Sequence, residues 1–274
     1  MGFSAPPTGR RRPVPAAGSV SSATASSATA TRSEERPVDL DAALTDAVEP
    51  LLTGAGDARV SAAVLDTGNG ARAVHGGGAF DTASVVKVGL VAALLLTAQD
   101  EGRALTAVEH DRATAMIVRS DNASATVLLR AIGGPAALDA AHGRLGLTGT
   151  VAARAWGLTR TTAADQLTLL RAVFGTDSEL GEESRAYLRG LMERVEPGQR
   201  WGVSAAGGGW ALKNGWMPRT TTGLWDINSI GRVRTGGRTC LVAVLSDGHP
   251  TKESGIALVE AVARAAVGVA GPPR

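Results

Sequence analysis

Two residues three apart carry the first sign of chemistry. Ser84 and Lys87 stand in TASVVKVGLVAALLL, Thr82 to Leu96, whose other members are almost all apolar. On a helix, positions i and i+3 share a face. A serine hydroxyl is a weak nucleophile until a base takes its proton. A lysine surrounded by valine and leucine must find a partner or shed its charge, and a neutral amine is a base. A helix start beside Ser84 also offers free backbone N–H groups that can hold an oxyanion. Arginine cannot serve as such a base, because a guanidinium keeps its proton. The chain has twenty-five arginines and only three lysines, Lys87, Lys213 and Lys252. Against that bias, a lysine beside apolar residues points to a task arginine cannot do. Lys87 and Lys213 have such neighbours, whereas Lys252 opens the last helical stretch and is expected at the surface.

Two further elements have the right residue types. Ser120-Asp121-Asn122 lies between two helical stretches, where a bare helix cap would look the same. Lys213-Asn214-Gly215 lies in WALKNGWMPR, where a strand leaving the core would also carry polar residues. Taken singly, each has an ordinary structural explanation.

The elements that must position these residues follow from the spacing of apolar side chains. VDLDAALTDAVEPLLTG has helical spacing and ends at glycine, and RVSAAVLDTGNGARAVHGGG reads as two strands about a Gly-Asn-Gly turn. The stretch bearing Ser84 and Lys87 predicts a helix capped by Asp81 or Thr82 and running to about Asp100. From Thr106 to about Val195, five stretches with helical spacing or caps are separated by glycines such as Gly133-Gly134, Gly146 and Gly175. Three strands and an amphipathic helix, about Thr251 to Val267, complete the chain. This order predicts an α+β fold: a mostly antiparallel sheet flanked by helices, with an all-helical lobe inserted. The expected organisation is a disordered low-complexity segment over 1–36 and one domain over 37–272. Its sheet lobe takes 37–104 and 200–272, its helical lobe 105–199, and a cleft between lobes suits a small molecule.

The ordered set S-x-x-K, S-D-N and K-x-G resembles that of the penicillin-recognising serine enzymes, and of class A β-lactamases in particular. The resemblance spans roughly Val38 to Ala270, and TTAADQLTLL is similar to a helix start common in that family. It implies a nucleophilic Ser84, Lys87 as its base and Ser120 as proton shuttle. It further implies that Asn122 binds the substrate amide and that Lys213 tunes Ser120 and attracts a substrate carboxylate. Asn214, Gly215 and Trp216 would line the substrate site, with the N–H groups of Ser84 and Trp216 as oxyanion hole.

The chain departs from that family in two places. Asn214 stands where the family has Thr or Ser. Class A β-lactamases also carry a glutamate that activates the deacylating water, yet no Asp or Glu occurs between Asp139 and Asp165. The expectation is a serine acyl hydrolase acting on β-lactams or related amides and esters, with slow deacylation. A D-alanyl peptidase or esterase of the same fold, and a non-catalytic sensor of β-lactams or cell-wall fragments, are the alternatives.

Other classes find little support. There is no G-x-S-x-G elbow, phosphate-binding loop or convincing dinucleotide fingerprint. His75, His110, His142 and His249 are scattered, without metal-ligand spacing, so neither metal nor cofactor is expected. Net charge is +2 and Arg10–Arg12 is the only basic run, which gives no footprint for nucleic acid. The unbroken apolar run Val88–Leu96 is too short for a membrane span of about 20 residues. Cys240, the single cysteine, reads as a core residue. A monomer acting on a small molecule is expected. Localisation stays open: the resemblance implies the cell envelope, but residues 1–36 are too polar for a convincing signal peptide, which leaves the cytoplasm as an alternative.

Overall fold

The alternation of side chains along the central strands divides the interior into two cores. The computed structural model describes residues 39–271 and the first two residues; the low-complexity segment expected over 1–36 otherwise lies outside the described residues. Strands β1 (Arg59–Asp66), β2 (Arg72–His75), β5 (Gly208–Pro218), β6 (Trp225–Thr235) and β7 (Arg238–His249) form one antiparallel sheet in the order β2-β1-β7-β6-β5. Ala63, Leu241, Ala243 and Leu245 face one core; Ala62, Val64, Cys240, Val242 and Val244 face the other. Side chains alternate faces along a strand, so a sheet covered on both sides reads as a nearly continuous apolar run. Helices α1 (Leu40–Leu52) and α8 (Lys252–Val269) cover the second face.

On the first face lies α2 (Val86–Asp100), apolar on every side and buried along almost its whole length. Around it pack α3 (Ala107–Val118), α4 (Asn122–Ala131), α5 (Pro135–Arg144), α6 (Ala163–Phe174) and α7 (Glu182–Met192). The 18-residue window Ala83–Asp100 is long and apolar enough to cross a membrane by composition, but 78% of it is buried inside the protein. Its apolar surface is therefore spent on the protein's own core.

Two details correct the sequence reading. The helix bearing Lys87 is not capped by Asp81 or Thr82. It begins with a 3-10 turn, Ala83–Val85, that has no side-chain cap. The Asp81 carboxylate instead meets Arg160 and Arg219, and Thr82 Oγ1 lies 3.5 Å from the carbonyls of Trp156 and Gly157. A short strand pair, β3 (Phe80–Asp81) with β4 (Arg160–Thr161), then ties the entry to α2 to the segment after α5. Its two-residue strands are too short for periodicity to reveal.

Candidate active site

Ser84 sits in the 3-10 turn that opens α2, and neighbouring strands clamp this turn. Asn228 of β6 donates through Nδ2 to the carbonyls of Asp81 (2.9 Å) and Thr82 (3.1 Å). Its Oδ1 accepts from Ser246 N at 3.0 Å. Gly215 on edge strand β5 presses against the same turn: a Cβ there would lie 2.7 Å from Ser84 N and 2.7 Å from the Thr82 carbonyl. Only glycine permits this approach. Ala83, just before the serine, takes φ 45°, and Ser120 takes φ 57°. These are the only non-glycine residues with positive φ among the described residues. Each costs about 1–2 kcal/mol, so backbone strain is confined to the surroundings of Ser84.

Lys87 is fully buried and reaches four acceptors. Its Nζ lies 2.8 Å from the Ser120 carbonyl and 2.8 Å from Asn122 Oδ1. It also lies 3.0 Å from Ser84 Oγ and 3.1 Å from Ser120 Oγ. The first two oxygens can only accept, so they claim two N–H bonds whatever the charge. The remaining position on nitrogen faces the two hydroxyls. It holds a third hydrogen in the ammonium and the lone pair in the amine. Burial pushes the Lys87 pKa down to about 8, against a smaller opposing effect of the Asp121 carboxylate.

Ser120, Asp121 and Asn122 divide two tasks. Asp121 is the cap of α4, its Oδ1 accepting from Ser124 N at 2.6 Å. Ser120 and Asn122 flank the cap and turn toward Lys87. Ser120 Oγ is shared, because Lys213 Nζ reaches it at 3.0 Å from the other side. Lys213 is also fully buried and donates to the Asn214 carbonyl at 2.8 Å. Burial lowers its pKa well below that of an ordinary lysine, and the charge of Lys87 lowers it further. Two ammonium groups about one hydroxyl repel, which favours loss of one proton from the pair.

Ser84, Lys87, Ser120, Asn122 and Lys213 thus converge, with Gly215 against the serine. Asn214 does not join them. Its amide turns inward and donates to the carbonyls of Gln199 (2.8 Å) and Trp201 (2.9 Å), where it is buried. This corrects its assignment as a substrate-binding residue: a long amide finds backbone carbonyls that a hydroxyl would not reach. Trp216 is half-buried and lines the cleft, with its ring 5.9 Å from that of Trp201. Lys252, expected at the surface, is half-buried with its Nζ 4.3 Å from the centre of the Trp216 ring.

The cleft beside Ser84 holds about 400 Å³. Its far wall is the segment Ala155–Leu158, anchored by the two acidic residues that bound the carboxylate-free stretch. Asp139 Oδ1 accepts from Ala152 N at 2.6 Å. Asp165 Oδ2 accepts from Gly149 N (2.8 Å) and Thr150 Oγ1 (2.6 Å). Neither carboxylate lines the cleft. The side chain over Lys87 is an indole: the Trp156 ring centre lies 4.7 Å from Nζ, and its Nε1 donates to Thr126 Oγ1 at 3.3 Å. Sequence reasoning missed Trp156 and Asn228. Trp156 had a signal, as a lone aromatic in the stretch lacking a base; Asn228, inside an ordinary strand, had none.

Comparison with known proteins agrees with this fold. The Beta-lactamase enzyme family matches residues 106–270, which include Ser120, Asn122 and Lys213 but begin after Ser84 and Lys87. Among solved structures, a class A β-lactamase from Bacteroides cellulosilyticus DSM 14838 superposes with a TM-score of 0.73 at 17% identity, covering 85% of this chain and 99% of that one. An ancestral class A β-lactamase (GNCA) does so with a TM-score of 0.69 at 25% identity, covering 82% and 99%. A mutant of PBP-A, in an acyl-enzyme complex with penicillin G, gives 0.69 at 21% identity, covering 82% and 95%. No curated protein matches the sequence. The sheet shared with these structures and the family match over three-fifths of the chain lead to one conclusion: this chain belongs to the beta-lactamase enzyme family.

Proposed function

We propose that the protein is a serine acyl hydrolase that works through an acyl-enzyme on Ser84 and releases the acyl group slowly. The observation that carries this reading is the placement of Lys87 Nζ, 3.0 Å from Ser84 Oγ, with two of its directions claimed by acceptor-only oxygens. In the neutral amine the lone pair faces the hydroxyl.

On this reading Lys87 takes the Ser84 proton as Oγ attacks the carbonyl carbon of an amide or ester. The backbone N–H groups of Ser84 and Trp216 receive the developing oxyanion. When the tetrahedral intermediate collapses, Ser120 Oγ–H protonates the leaving nitrogen or oxygen. Lys87 returns the proton through the shared hydroxyl, with Lys213 holding Ser120 in place. Asn122, which lines the cleft, would hold the substrate amide. Slow deacylation is supported by the carboxylate-free cleft and by the indole that stands over Lys87. Among the described residues, the base nearest Ser84 for a water molecule is Lys87.

Intact-protein mass spectrometry after mixing with penicillin G tests this directly. A long-lived adduct of drug mass, absent in Ser84→Ala, is expected. A transient adduct with rapid release of hydrolysed drug would refute slow deacylation. The missing base also favours a second reading, a non-catalytic sensor. Turnover of any neutral ester that Ser84→Ala abolishes would exclude it.

A further inference from the structure

A second concavity, which shares no lining residue with the Ser84 cleft, gathers arginines. It holds about 720 Å³ and runs between the turn joining β1 to β2, strands β6 and β7, and the end of α6. Arg72 of β2, Arg171 of α6, Arg189 of α7 and Arg232 and Arg234 of β6 line it. They come from four elements far apart in the chain, so no basic run in the sequence announces them.

A guanidinium keeps its proton, so the charge of this groove depends on which acids stand near it. Arg232 Nη2 lies 3.0 Å from Glu193 Oε1, and Arg189 shares Glu182 with Arg185. Asp66, on the wall, is met by Arg238 at 3.1 Å. Glu179, near the end of α6, is taken together with Asp100 by Arg144. Arg72, Arg171 and Arg234 are exposed and have no acidic partner among the described residues, and the one lining acid left over is Asp177. Three unpaired guanidiniums against one carboxylate leave a positive surplus. Like charges held in one concavity repel, and an anion bound among them relieves that repulsion. Another surface concavity shows the contrast, with Arg112 and Arg119 beside Asp111 and Asp121.

Part of the groove is set in advance. Arg232 Nη2 also donates to the Gly209 carbonyl at 2.9 Å, and its guanidinium carbon lies 5.3 Å from the centre of the Phe174 ring. A side chain already fixed costs less to order on binding. Planar guanidiniums pair with phosphoryl oxygens two at a time. Spread around a cavity of this size, they suit several linked phosphoryl groups better than a single phosphate ion. From the surplus, the fixed Arg232 and the cavity, we propose that this groove binds a small polyphosphate, either free or carried by a nucleoside. The proposal does not depend on the reading of Ser84.

Calorimetric titration of the full chain with sodium tripolyphosphate, in dilute buffer, tests it. Tripolyphosphate is expected to bind at least about tenfold tighter than inorganic phosphate, and more weakly as salt is added. Arg171→Gln/Arg234→Gln removes two exposed, unpaired groove cations and is expected to weaken binding at least about tenfold. Arg112→Gln/Arg130→Gln lowers the net charge equally outside the groove and is expected to change affinity less than about twofold. Absence of tripolyphosphate binding would overturn the proposal. Equal loss in the two double variants would also overturn it, because attraction would then follow net charge and not this groove. ATP distinguishes the two sources: affinity at least about tenfold above that of tripolyphosphate assigns a nucleoside-borne chain, and similar affinity assigns the phosphoryl chain alone.

Discussion

The proton on Lys87 sets the clearest quantitative test. Burial lowers its pKa from 10.5 to about 8, a differential cost of roughly 3 kcal/mol for the charged form. If the neutral amine is the base, acylation should follow its fraction. That fraction is roughly one-tenth at pH 7, half at pH 8 and nine-tenths at pH 9, for a pKa of about 8. The acylation rate should therefore rise about fivefold from pH 7 to 8 and less than about twofold from 8 to 9. Lys87→Arg supplies the contrast, because a guanidinium keeps its proton throughout. It should lose about 10²- to 10⁴-fold in acylation at pH 8, the usual contribution of a positioned base. The assay is single-turnover adduct formation by rapid quench and mass spectrometry, with the spontaneous hydrolysis of the acyl donor subtracted. Stability should move in the same direction. Between about pH 8 and 10.5 the unfolded chain holds a proton that the folded one lacks, so this group adds stability as pH rises. Loss of activity through unfolding at high pH would thus not mimic the expected rise. A flat profile from pH 6.5 to 9.5, or a folded Lys87→Arg that acylates within about threefold of the parent, would refute the role of Lys87 as base.

Gly215→Ala would set a Cβ within 2.7–2.9 Å of three backbone atoms of the Ser84 turn, so adduct formation should fall at least about tenfold and thermal stability by roughly 1–3 kcal/mol. Asp121→Asn keeps a good cap for α4 but removes the carboxylate that raises the Lys87 pKa; the midpoint of the acylation profile should shift to lower pH, and an upward shift would contradict the assignment. Asp226 is buried, and burial raises its pKa to about 6 despite Arg219. Its charge therefore weighs against folding most fully above about pH 6, and Asp226→Asn should raise the melting temperature more at pH 8 than at pH 5.

The outcome at individual residues shows where sequence reasoning reached and where it stopped. The helix bearing Lys87, the five helical stretches that follow and the three late strands were legible because burial imprints a period on apolar residues. The convergence of Ser84, Lys87, Ser120, Asn122 and Lys213 was legible only through a motif order, because they are far apart in the chain. Asn214 matched a motif position yet points away from the cleft. Its direction depends on carbonyls of Gln199 and Trp201 that no local pattern announces. Asp121 was both motif member and helix cap, and the two readings proved compatible because adjacent side chains leave a helix start in different directions.

The sequence by itself determined the chemistry at hand: a serine three residues before a lysine in an apolar helix, a second lysine kept in an arginine-rich chain, and no acid between Asp139 and Asp165. Residue type and local spacing suffice for those statements. Tertiary structure alone decided what surrounds these groups. It folded the carboxylate-free segment so that Trp156 stands over Lys87, and it committed Arg219 and Lys252 to protein partners. It also placed Lys213 on the hydroxyl that Lys87 already shares. The physical reason is that charge, pKa and cleft polarity depend on neighbours within a few ångströms, and here those neighbours come from distant parts of the chain.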